Sequence, residues 1–305
     1  MIDKPAGVTS HDCVKRLRKV FGIKKIGHGG TLDPSVTGVL PIAIGDATRL
    51  IGYLQGSKAY EGIIQLGLST TTDDMQGDVI NSKSWPLIDH NNLNNLLDSF
   101  RGEISQKPPL FSSVNIKGER AYKKARRGER FETIAKKVTI NQFNLLNWSI
   151  KKGQFEFFVD CSAGTYIRSL ARDIGDQIGC GACLKNLRRT KAFSFNESHS
   201  VLLPEALESY LEINKPKLLN PKYFLKHLNS YKLTSEKEIK SWRTGREIAI
   251  QSNNQIDRLS NGNEFKDSKV KNIVLMLDQN NQIVGIAERS EDLTLSPKVV
   301  FNAIG

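Results

Sequence analysis

The sequence predicts a globular protein that contains both α-helices and β-strands. Several stretches place apolar residues three and four positions apart, as in an amphipathic helix, whereas residues 58–67 alternate as in a strand. The composition changes at residues 213–232, which are rich in Lys, Asn, Leu and Pro, and this change predicts a linker. A chain of 305 residues is long enough for one large domain or for two.

The charge balance points to a polyanionic partner. The chain has 44 Lys and Arg residues against 32 Asp and Glu residues, a net charge of +12. RNA, DNA and an anionic membrane all fit this excess, and charge alone does not choose among them. No apolar stretch is long enough to span a bilayer and the N-terminus lacks an apolar signal region, so we expect a cytoplasmic protein.

Neither the cysteines nor the clustered acids predict a metal site. Cys180 and Cys183 form a C-x-x-C pair with no second pair and no nearby His, in an apolar stretch typical of a helix. Packing is therefore favoured over metal binding or redox chemistry. The acids of residues 73–78 lack a partner His and the spacing of a calcium loop. We expect no metal.

The predicted elements follow one another along the chain. Thr9 and Asp12 predict the start of a helix whose buried stripe is Val14, Leu17, Val20 and Phe21. Further elements are predicted by their apolar spacing: a strand and a short helix in 43–54, a strand in 58–67, a helix in 88–100, a strand in 155–162, a helix from 165, a helix in 236–242, and a hairpin formed by 272–277 and 283–287.

Two charged residues, Asp33 and Arg168, lie at or near the ends of these predicted elements. Asp33 precedes Pro34 in a glycine-rich stretch, so its backbone is biased toward an extended or turn conformation. A carboxylate held in this way can act as a nucleophile or as an acid or base, although an Asx turn explains the same residues. Arg168 falls in the first turn of its helix, where a cation opposes the helix dipole and requires an anion nearby.

The most basic segment, residues 117–130, is a candidate for nucleic-acid binding. Its Lys and Arg residues surround Tyr122 and are bounded by glycines. This arrangement is typical of a mobile arm that grips an RNA backbone, and a solvated helix explains the charge equally well.

Six motifs resemble the TruB family of tRNA pseudouridine synthases. The central one is His28-Gly29-Gly30-Thr31-Leu32-Asp33-Pro34, followed by Gly38-Val39-Leu40-Pro41. The others are the Asp-Lys-Pro and Thr-Ser-His-Asp pattern of residues 3–12, the K-x-Y of residues 58–60, the T-x-T-x-D-x-x-G of residues 70–77, the segment 161–170 and the Leu-Arg-Arg-Thr of residues 187–190. The pattern of residues 106–128 resembles the RNA-gripping insertion of the family, with Phe111 and Asn115 in place of Tyr and Lys.

The resemblance assigns roles to individual residues. It implies that Asp33 is the catalytic carboxylate, that Arg168 pairs with it, and that Tyr60 is a further catalytic residue. His28 is expected to occupy the space that an extruded base leaves, and Asp74 to brace the arginine or a loop. The full set of expected substrate-site residues is His28, Lys4, Gly30, Asp74, Leu187, Lys123, Lys124, Arg126 and Arg127.

The resemblance also implies an α+β fold. It predicts a catalytic domain in residues 1–212 with a mixed, mostly antiparallel sheet and an RNA-gripping insertion at about 105–135. A linker in 213–232 and a small PUA-like β-barrel in 233–305, which binds RNA, are expected to follow.

The implied activity is the isomerisation of uridine to pseudouridine at position 55 in the T-arm of tRNA, after the base is flipped out. This reaction needs no cofactor, and we expect tRNA as the partner, no membrane, no obligatory protein partner and a monomer. Three alternatives remain open from the sequence: an RNA-binding protein or tRNA folding helper without required catalysis, a synthase within a guide-RNA complex, and a carboxylate hydrolase of glycosidic bonds.

Overall fold

The computed structural model describes residues 1–203, 218–250, 256–258 and 272–304. Contacts divide the chain into two units. The first comprises residues 1–13, 30–41 and 56–203, and the second comprises residues 14–29, 42–55 and 204–305. The second unit thus includes two N-terminal segments that the sequence assigned to the catalytic domain. The predicted boundary at residue 212 lies outside the described residues.

The strands, in chain order, are β1 (Ile2–Lys4), β2 (Ile26–His28), β3 (Thr37–Leu40), β4 (Ile42–Ile44), β5 (Lys58–Leu66), β6 (Leu68–Thr70), β7 (Val79–Ser82), β8 (Gly102–Gln106), β9 (Asn115–Ile116), β10 (Glu119–Arg120), β11 (Lys136–Ser149), β12 (Gln154–Cys161), β13 (Ala182–Ala192), β14 (Phe195–Asn196), β15 (Val201–Leu202), β16 (Asn229–Lys232), β17 (Ile248–Ala249), β18 (Asp257–Arg258), β19 (Ile273–Leu277), β20 (Ile283–Arg289) and β21 (Thr294–Val300).

The α-helices among the described residues are α1 (Ser10–Phe21), α2 (His90–Asp98), α3 (Ala121–Arg126), α4 (Ile167–Ile178) and α5 (Glu236–Arg243). Short 3₁₀ helices cover Gly45–Tyr53, Glu197–His199 and Pro221–Phe224. None of these helices is long and apolar enough to cross a bilayer.

A nine-stranded sheet dominates the first unit. Its order is β15-β1-β3-β13-β5-β12-β11-β8, with β14 also paired to β13. The β1–β15 and β3–β13 pairs are parallel and the other pairs are antiparallel. The predicted mixed, mostly antiparallel sheet is therefore confirmed.

Two helices cover the apolar surface of this sheet. Helix α4 buries Ile167, Leu170, Ala171 and Ile174 and partly buries Ile178, and Gly179, with a φ of +87°, caps its C-terminus. Helix α2 contributes Leu93 and Leu97 to the same core. The aromatic rings of Phe143, Phe155 and Phe157 lie in this core and make edge-to-face contacts. This packing fixes the N-terminal turn of α4, where Arg168 lies.

Helix α1 begins as its sequence predicts. The amide of Asp12 donates to Thr9 Oγ1 over 3.0 Å, and the amide of Thr9 donates to Asp12 Oδ2 over 3.1 Å. Each side chain therefore satisfies a backbone amide that the helix leaves open. Val14 and Leu17 of the predicted stripe are buried.

A six-stranded sheet of order β17-β21-β20-β19-β16-β18 forms most of the described part of the second unit. It is a curled half-barrel, consistent with the expected PUA-like domain. The predicted hairpin is present as β19 and β20. On one side of the sheet, Leu225, Leu228 and Ile286 pack with Leu50, which explains why residues 42–55 belong to this unit.

Part of the predicted linker is a strand. Strand β16 lies between β19 and β18, and its Tyr231 is buried. The frequency of Lys and Asn around it suggested a connector, but the burial of Ser230 and Tyr231 between two neighbouring strands overrides that composition. Residues 213–217 of the predicted linker lie outside the described residues.

The cysteines are buried and free, in agreement with a packing role. The C-x-x-C pair does not lie in a helix as predicted, because Cys180 follows α4 and Cys183 lies on β13. No group of three or more His, Cys, Asp or Glu side chains suited to a metal ion occurs within the described ranges.

Glycine at position 38 is required where β3 meets β13. Gly38 has a φ of +106° and pairs with Arg189, and a Cβ at this position would lie 2.2 Å from the Arg189 carbonyl oxygen. We expect Gly38→Ala to lower the free energy of unfolding by about 4 kcal/mol or more, because steric overlap adds to backbone strain. Chemical denaturation measures this change.

Gly102→Ala is the matched control, since Gly102 has a φ of +82° but no atom within 4 Å of an added Cβ. Strain alone should cost about 1–2 kcal/mol there. Equal losses in the two variants would contradict a close approach at Gly38.

Candidate active site

A short loop before β3, residues 30–36 and here called the catalytic loop, presents Asp33 to solvent. The Val36 amide donates to the Asp33 carbonyl oxygen over 3.0 Å, which closes a turn with Pro34 at its second position. The Asp33 carboxylate is 40% exposed and meets Arg168. The turn is thus closed by the backbone, and the carboxylate is directed to a side-chain partner rather than used as an Asx cap.

Arg168 holds three segments together at this point. Its Nε lies 3.0 Å from Asp33 Oδ2, Nη1 donates to the Thr72 carbonyl over 2.8 Å, and Nη2 donates to the Phe111 carbonyl over 2.9 Å. The side chain is buried apart from the edge that faces the carboxylate. Because each nitrogen has an acceptor, the guanidinium plane is fixed and aligns Asp33.

Asp74 braces this arrangement. Its Oδ2 lies 3.7 Å from Arg168 Nε, and its Oδ1 accepts hydrogen bonds from the Thr72 hydroxyl over 2.5 Å and from the Gln76 amide over 2.9 Å. The two carboxylates supply the anionic neighbourhood that an arginine at a helix N-terminus requires. Asp74 therefore lies where the sequence expects a bracing residue.

Buried side chains also hold the backbone of the catalytic loop. Ser10 Oγ accepts a hydrogen bond from the Leu32 amide over 2.9 Å and donates to the Leu32 carbonyl over 3.1 Å. Arg189 donates to the carbonyls of Gly30, Thr31 and Val39 over 3.1, 3.4 and 2.8 Å. These bonds fix the loop on both sides of Asp33.

Lys4, for which the sequence predicts a contact with substrate, anchors the catalytic loop in this structure. Its side chain is fully buried, and Nζ donates to the carbonyls of Pro5, Val8 and Pro34 over 2.8, 2.8 and 3.2 Å. All three donors of the ammonium are used, so none remains for a ligand. The motif at residues 3–5 thus indicates a lysine next to the catalytic loop, but it does not indicate the direction in which the Lys4 side chain points.

Tyr60 is buried on β5 and is joined to the same network. Its phenol lies close enough to the Arg189 guanidinium for the two groups to interact electrostatically. Burial raises the pKa of the Tyr60 phenol, and the Arg189 charge only partly opposes this effect. The resting side chain is therefore a neutral phenol, suited to stacking or to donating a hydrogen bond. It is poorly suited to accepting a proton.

Lys58 also lies next to the catalytic loop, although it is not among the site residues predicted from the sequence. It lies two residues before Tyr60 and therefore on the same face of β5. A Cβ on Gly30 would lie 3.1 Å from Lys58 Nζ, so the ammonium adjoins the backbone of the catalytic loop. Burial lowers the pKa of Lys58 to about 8, with Arg189 contributing repulsion. The K-x-Y motif of residues 58–60, which begins with Lys58, was the sequence signal that could have identified this residue.

Two other predicted residues have less defined places. Leu187 lies on β13 opposite Gly62 and packs, partly buried, on the core that includes Tyr60. His28 ends β2, pairs with Ile42 and belongs to the second unit, whereas Asp33 belongs to the first. The role of His28 therefore stays a prediction.

The basic segment lies in an arm, residues 105–135, that contains a short hairpin and α3. The base of the arm is fixed to α4. Gln106 exchanges two hydrogen bonds with the backbone of Tyr166, and the Lys107 carbonyl accepts from Ser169 Oγ and from Arg172 Nη2, each over 2.9 Å. The arm thus adjoins the helix turn that carries Arg168.

The four cations of the arm that the sequence predicts to bind RNA fall into two pairs: Lys124 with Arg127, and Lys123 with Arg126. Lys124 bonds to Glu129 over 2.8 Å, and Arg127 bonds to Glu119 and to Glu129, each over 2.6 Å. Lys123 and Arg126 are exposed and form no ion pair with a described residue, and Arg126 lies 5.5 Å from the Tyr122 ring centroid. The second pair therefore carries the charge that a ligand can neutralise.

Comparison with known proteins identifies the class. The family described as TruB family pseudouridylate synthase (N terminal domain) matches residues 18–167, and the tRNA pseudouridylate synthase B C-terminal domain matches residues 168–227. The tRNA pseudouridine synthase B of Prochlorococcus marinus (strain NATL1A) is 66% identical, with 100% of this chain and 98% of that protein covered. The one of Parasynechococcus marenigrum (strain WH8102) is 47% identical, with 100% and 97% covered.

Solved structures give the same fold. A crystal structure of a Cbf5-Nop10-Gar1 complex contains a chain that is 26% identical, with a TM-score of 0.67 over 98% of this chain and 82% of that chain. An archaeal box H/ACA sRNP Nop10-Cbf5 complex contains one with a TM-score of 0.68, at 22% identity over 98% and 84% of the two chains, which is a likeness of fold alone.

These matches define the class as the pseudouridylate synthases. Within this class, the chain belongs to the TruB family.

The lowered pKa of Lys58 is directly testable. In the unfolded chain this lysine titrates at its ordinary value of 10.5, and in the folded chain at about 8. Between these values the unfolded state binds more protons, so this group makes the protein more stable as pH rises from 8 to 10.5.

We expect the side-chain carbon-13 resonance of Lys58, assigned with Lys58→Arg, to titrate with a midpoint near 8. Lys151→Arg is the control for the assignment, because Lys151 is exposed and its replacement should leave the Lys58 resonance in place. A midpoint above 10 for Lys58 would contradict the burial of its charge.

Proposed function

We propose that this chain isomerises uridine to pseudouridine in tRNA and that its target is position 55 of the T-arm. The observation that carries the proposal is the exposed Asp33 carboxylate, aligned by a buried arginine at 3.0 Å on a loop fixed from both sides. The relatives named tRNA pseudouridine synthase B, at up to 66% identity over the full chain, support the reaction and the substrate class.

The reaction exchanges one bond to the sugar for another. The N1–C1′ bond of the nucleotide breaks, the uracil turns and C5 bonds to C1′. C5 then loses its proton and N1 takes one up from solvent. No atom is gained from a second substrate and nothing is oxidised. The step therefore requires a group that stabilises an electron-poor C1′ or bonds to the nucleotide, and an aligned carboxylate does either.

Arg168 prepares Asp33 for this step. Two of its nitrogens are bonded to backbone carbonyls, so it cannot follow the carboxylate and instead holds it in one orientation. Tyr60 would stack on the uracil or donate a hydrogen bond from its neutral phenol. Asp33 thus carries the covalent or charge-stabilising role, and Tyr60 and Arg168 position the reactants.

Access to the base requires that the uridine leave its stack. An enzyme that works on a nucleotide inside a folded RNA has to extrude it, at a cost of a few kcal/mol. The arm, through Lys123 and Arg126, would bind the RNA backbone during this step, and His28 would occupy the vacated space. Because recognition and chemistry reside in one chain, we propose a cytoplasmic monomer that needs no obligatory protein partner.

The solved neighbours favour one alternative. The Cbf5 chain at 26% identity comes from a Cbf5-Nop10-Gar1 complex, so a synthase that works only with partners is the second candidate. The arm, with its own cations, favours a self-sufficient enzyme. Activity of the purified chain on unmodified tRNA decides between the two.

Replacing Asp33 tests the proposed reaction. We expect Asp33→Asn to lower turnover by about 10³-fold or more while the Kd for tRNA changes by less than threefold, since the side chain keeps its shape and loses its charge. Tritium release from carbon-5-tritiated uridine in unmodified tRNA measures turnover.

Asp176→Asn is the control, because Asp176 is exposed on α4 and lies outside the site. If Asp33→Asn retained full turnover, the carboxylate would not be catalytic. Tight binding without release by the wild type would favour a binding protein.

The two cation pairs of the arm predict different effects on RNA binding. We expect Lys123→Gln with Arg126→Gln to weaken tRNA binding and to reduce the slope of log Kd against log salt by about 1–2, as two phosphate contacts require. Lys124→Gln with Arg127→Gln should change the slope less, because Glu119 and Glu129 already neutralise those cations. Filter binding over a salt series measures both, and a slope that no variant changes would remove the arm from the RNA contact.

A further inference from the structure

Lys58 places a positive charge beside the catalytic loop that has no carboxylate partner among the described residues. Its ammonium adjoins Gly30 and lies 5.5 Å from the Phe193 ring centroid. Within the described part of the chain, Nζ forms no ion pair with a carboxylate and donates no hydrogen bond. Half-burying a charge in this way is costly, so the arrangement requires either a ligand or another compensation.

The surroundings of Lys58 add positive charge instead of cancelling it. Arg189 lies behind the same loop and, among the described residues, binds carbonyls but no carboxylate. Lys4 donates to three carbonyls and, among the described residues, forms no ion pair with a carboxylate. With Arg168, four cations therefore lie around a loop that offers one carboxylate, Asp33, and Asp74 adds a second next to Arg168.

Lys58 is the cation of this group that an added anion can reach. Lys4 and Arg189 are fully buried with their donors directed to the protein, and Arg168 is occupied by Asp33, Thr72 and Phe111. Lys58 is half-buried and retains all three ammonium protons. Gly30, which has a φ of +122° and no side chain, leaves the approach to the ammonium open.

The chemistry of the substrate limits what this anion is. Uracil and ribose are neutral at physiological pH, so the phosphodiester is the anionic group of an RNA substrate next to its target nucleotide. A lysine ammonium binds a phosphate as a point charge and needs no planar match. We propose that Lys58 binds a non-bridging phosphate oxygen that flanks the target uridine. This inference rests on the proposed function.

The bound phosphate would fix the sugar relative to Asp33. Lys58 adjoins Gly30, three residues before Asp33 in the same loop, so a phosphate on its ammonium is held at a set distance from the carboxylate. Tyr60, on the same face of β5, would meet the base of that nucleotide. The phosphate, the sugar and the base of one nucleotide are then each held by a separate group.

The test combines a variant of Lys58 with neutral backbone linkages in the RNA. Lys58→Met keeps the length and the apolar contacts of the side chain, and removal of the buried charge should leave the midpoint of thermal unfolding unchanged or raise it. The substrate is a T-arm stem-loop in which a methylphosphonate replaces one linkage at a time. Fluorescence anisotropy gives Kd, and tritium release gives kcat.

We expect Lys58→Met to weaken binding of the unmodified stem-loop by about 10-fold, the loss of one charge-assisted hydrogen bond. For the wild type, a methylphosphonate at one of the two linkages that flank the target uridine should weaken binding by a similar factor. The same substitution should have no further effect on Lys58→Met. Lys151→Met is the matched control and should keep the full sensitivity of the wild type to that linkage.

Equal sensitivity of wild type and Lys58→Met at both flanking linkages would overturn the proposal. A fall in kcat with unchanged Kd and no such coupling would also overturn it, and would assign the ammonium to negative charge on the departing uracil. The coupling between Lys58 and the methylphosphonate linkage is measured through Kd alone. It therefore decides this question even if the wild type releases no tritium. Absence of tritium release would count against the proposed function only.

Discussion

The bonds made by the Arg168 guanidinium are the interactions on which the rest of the site depends. Its three nitrogen atoms bond to three segments that are far apart in sequence: the catalytic loop at Asp33, the turn at Thr72 and the arm at Phe111. A lysine would keep the charge but serve fewer acceptors in a fixed geometry. The core of the first unit, which buries the inner face of α4, is therefore part of what aligns the carboxylate.

The catalytic loop is held mainly by donors to its carbonyl groups. Lys4 and Arg189 use their charge on backbone oxygens, and Ser10 uses one hydroxyl for both polar groups of Leu32. Because these anchoring side chains form no ion pair with Asp33, the exposed side of its carboxylate stays open to a substrate. The same choice leaves excess positive charge around the loop, which suits a polyanionic ligand.

Local patterns predicted several of the helices and strands, the family resemblance supplied the Asp33–Arg168 pair, and neither predicted the direction of the side chains. Helix α4 and its buried face follow from apolar spacing, and the α1 cap follows from Thr9 and Asp12. Strand β16 was missed because its burial depends on β19, its distant partner in the sheet. Lys4, the burial of Tyr60 and the division of the arm cations into two pairs depend on contacts that only the folded chain defines.

In the proposed reaction, the attachment of the arm to the turn that carries Arg168 would link substrate selection to the rate of the chemical step. Phe111 supplies one of the acceptors that fix the guanidinium, and Lys107 is bonded to Ser169 and Arg172 on the same helix. An RNA whose shape displaces the arm would remove an acceptor from Arg168 and loosen its hold on Asp33. The enzyme would then discriminate against a wrongly shaped RNA through lost alignment of its carboxylate, and this fidelity would require no contact with the identity of any base.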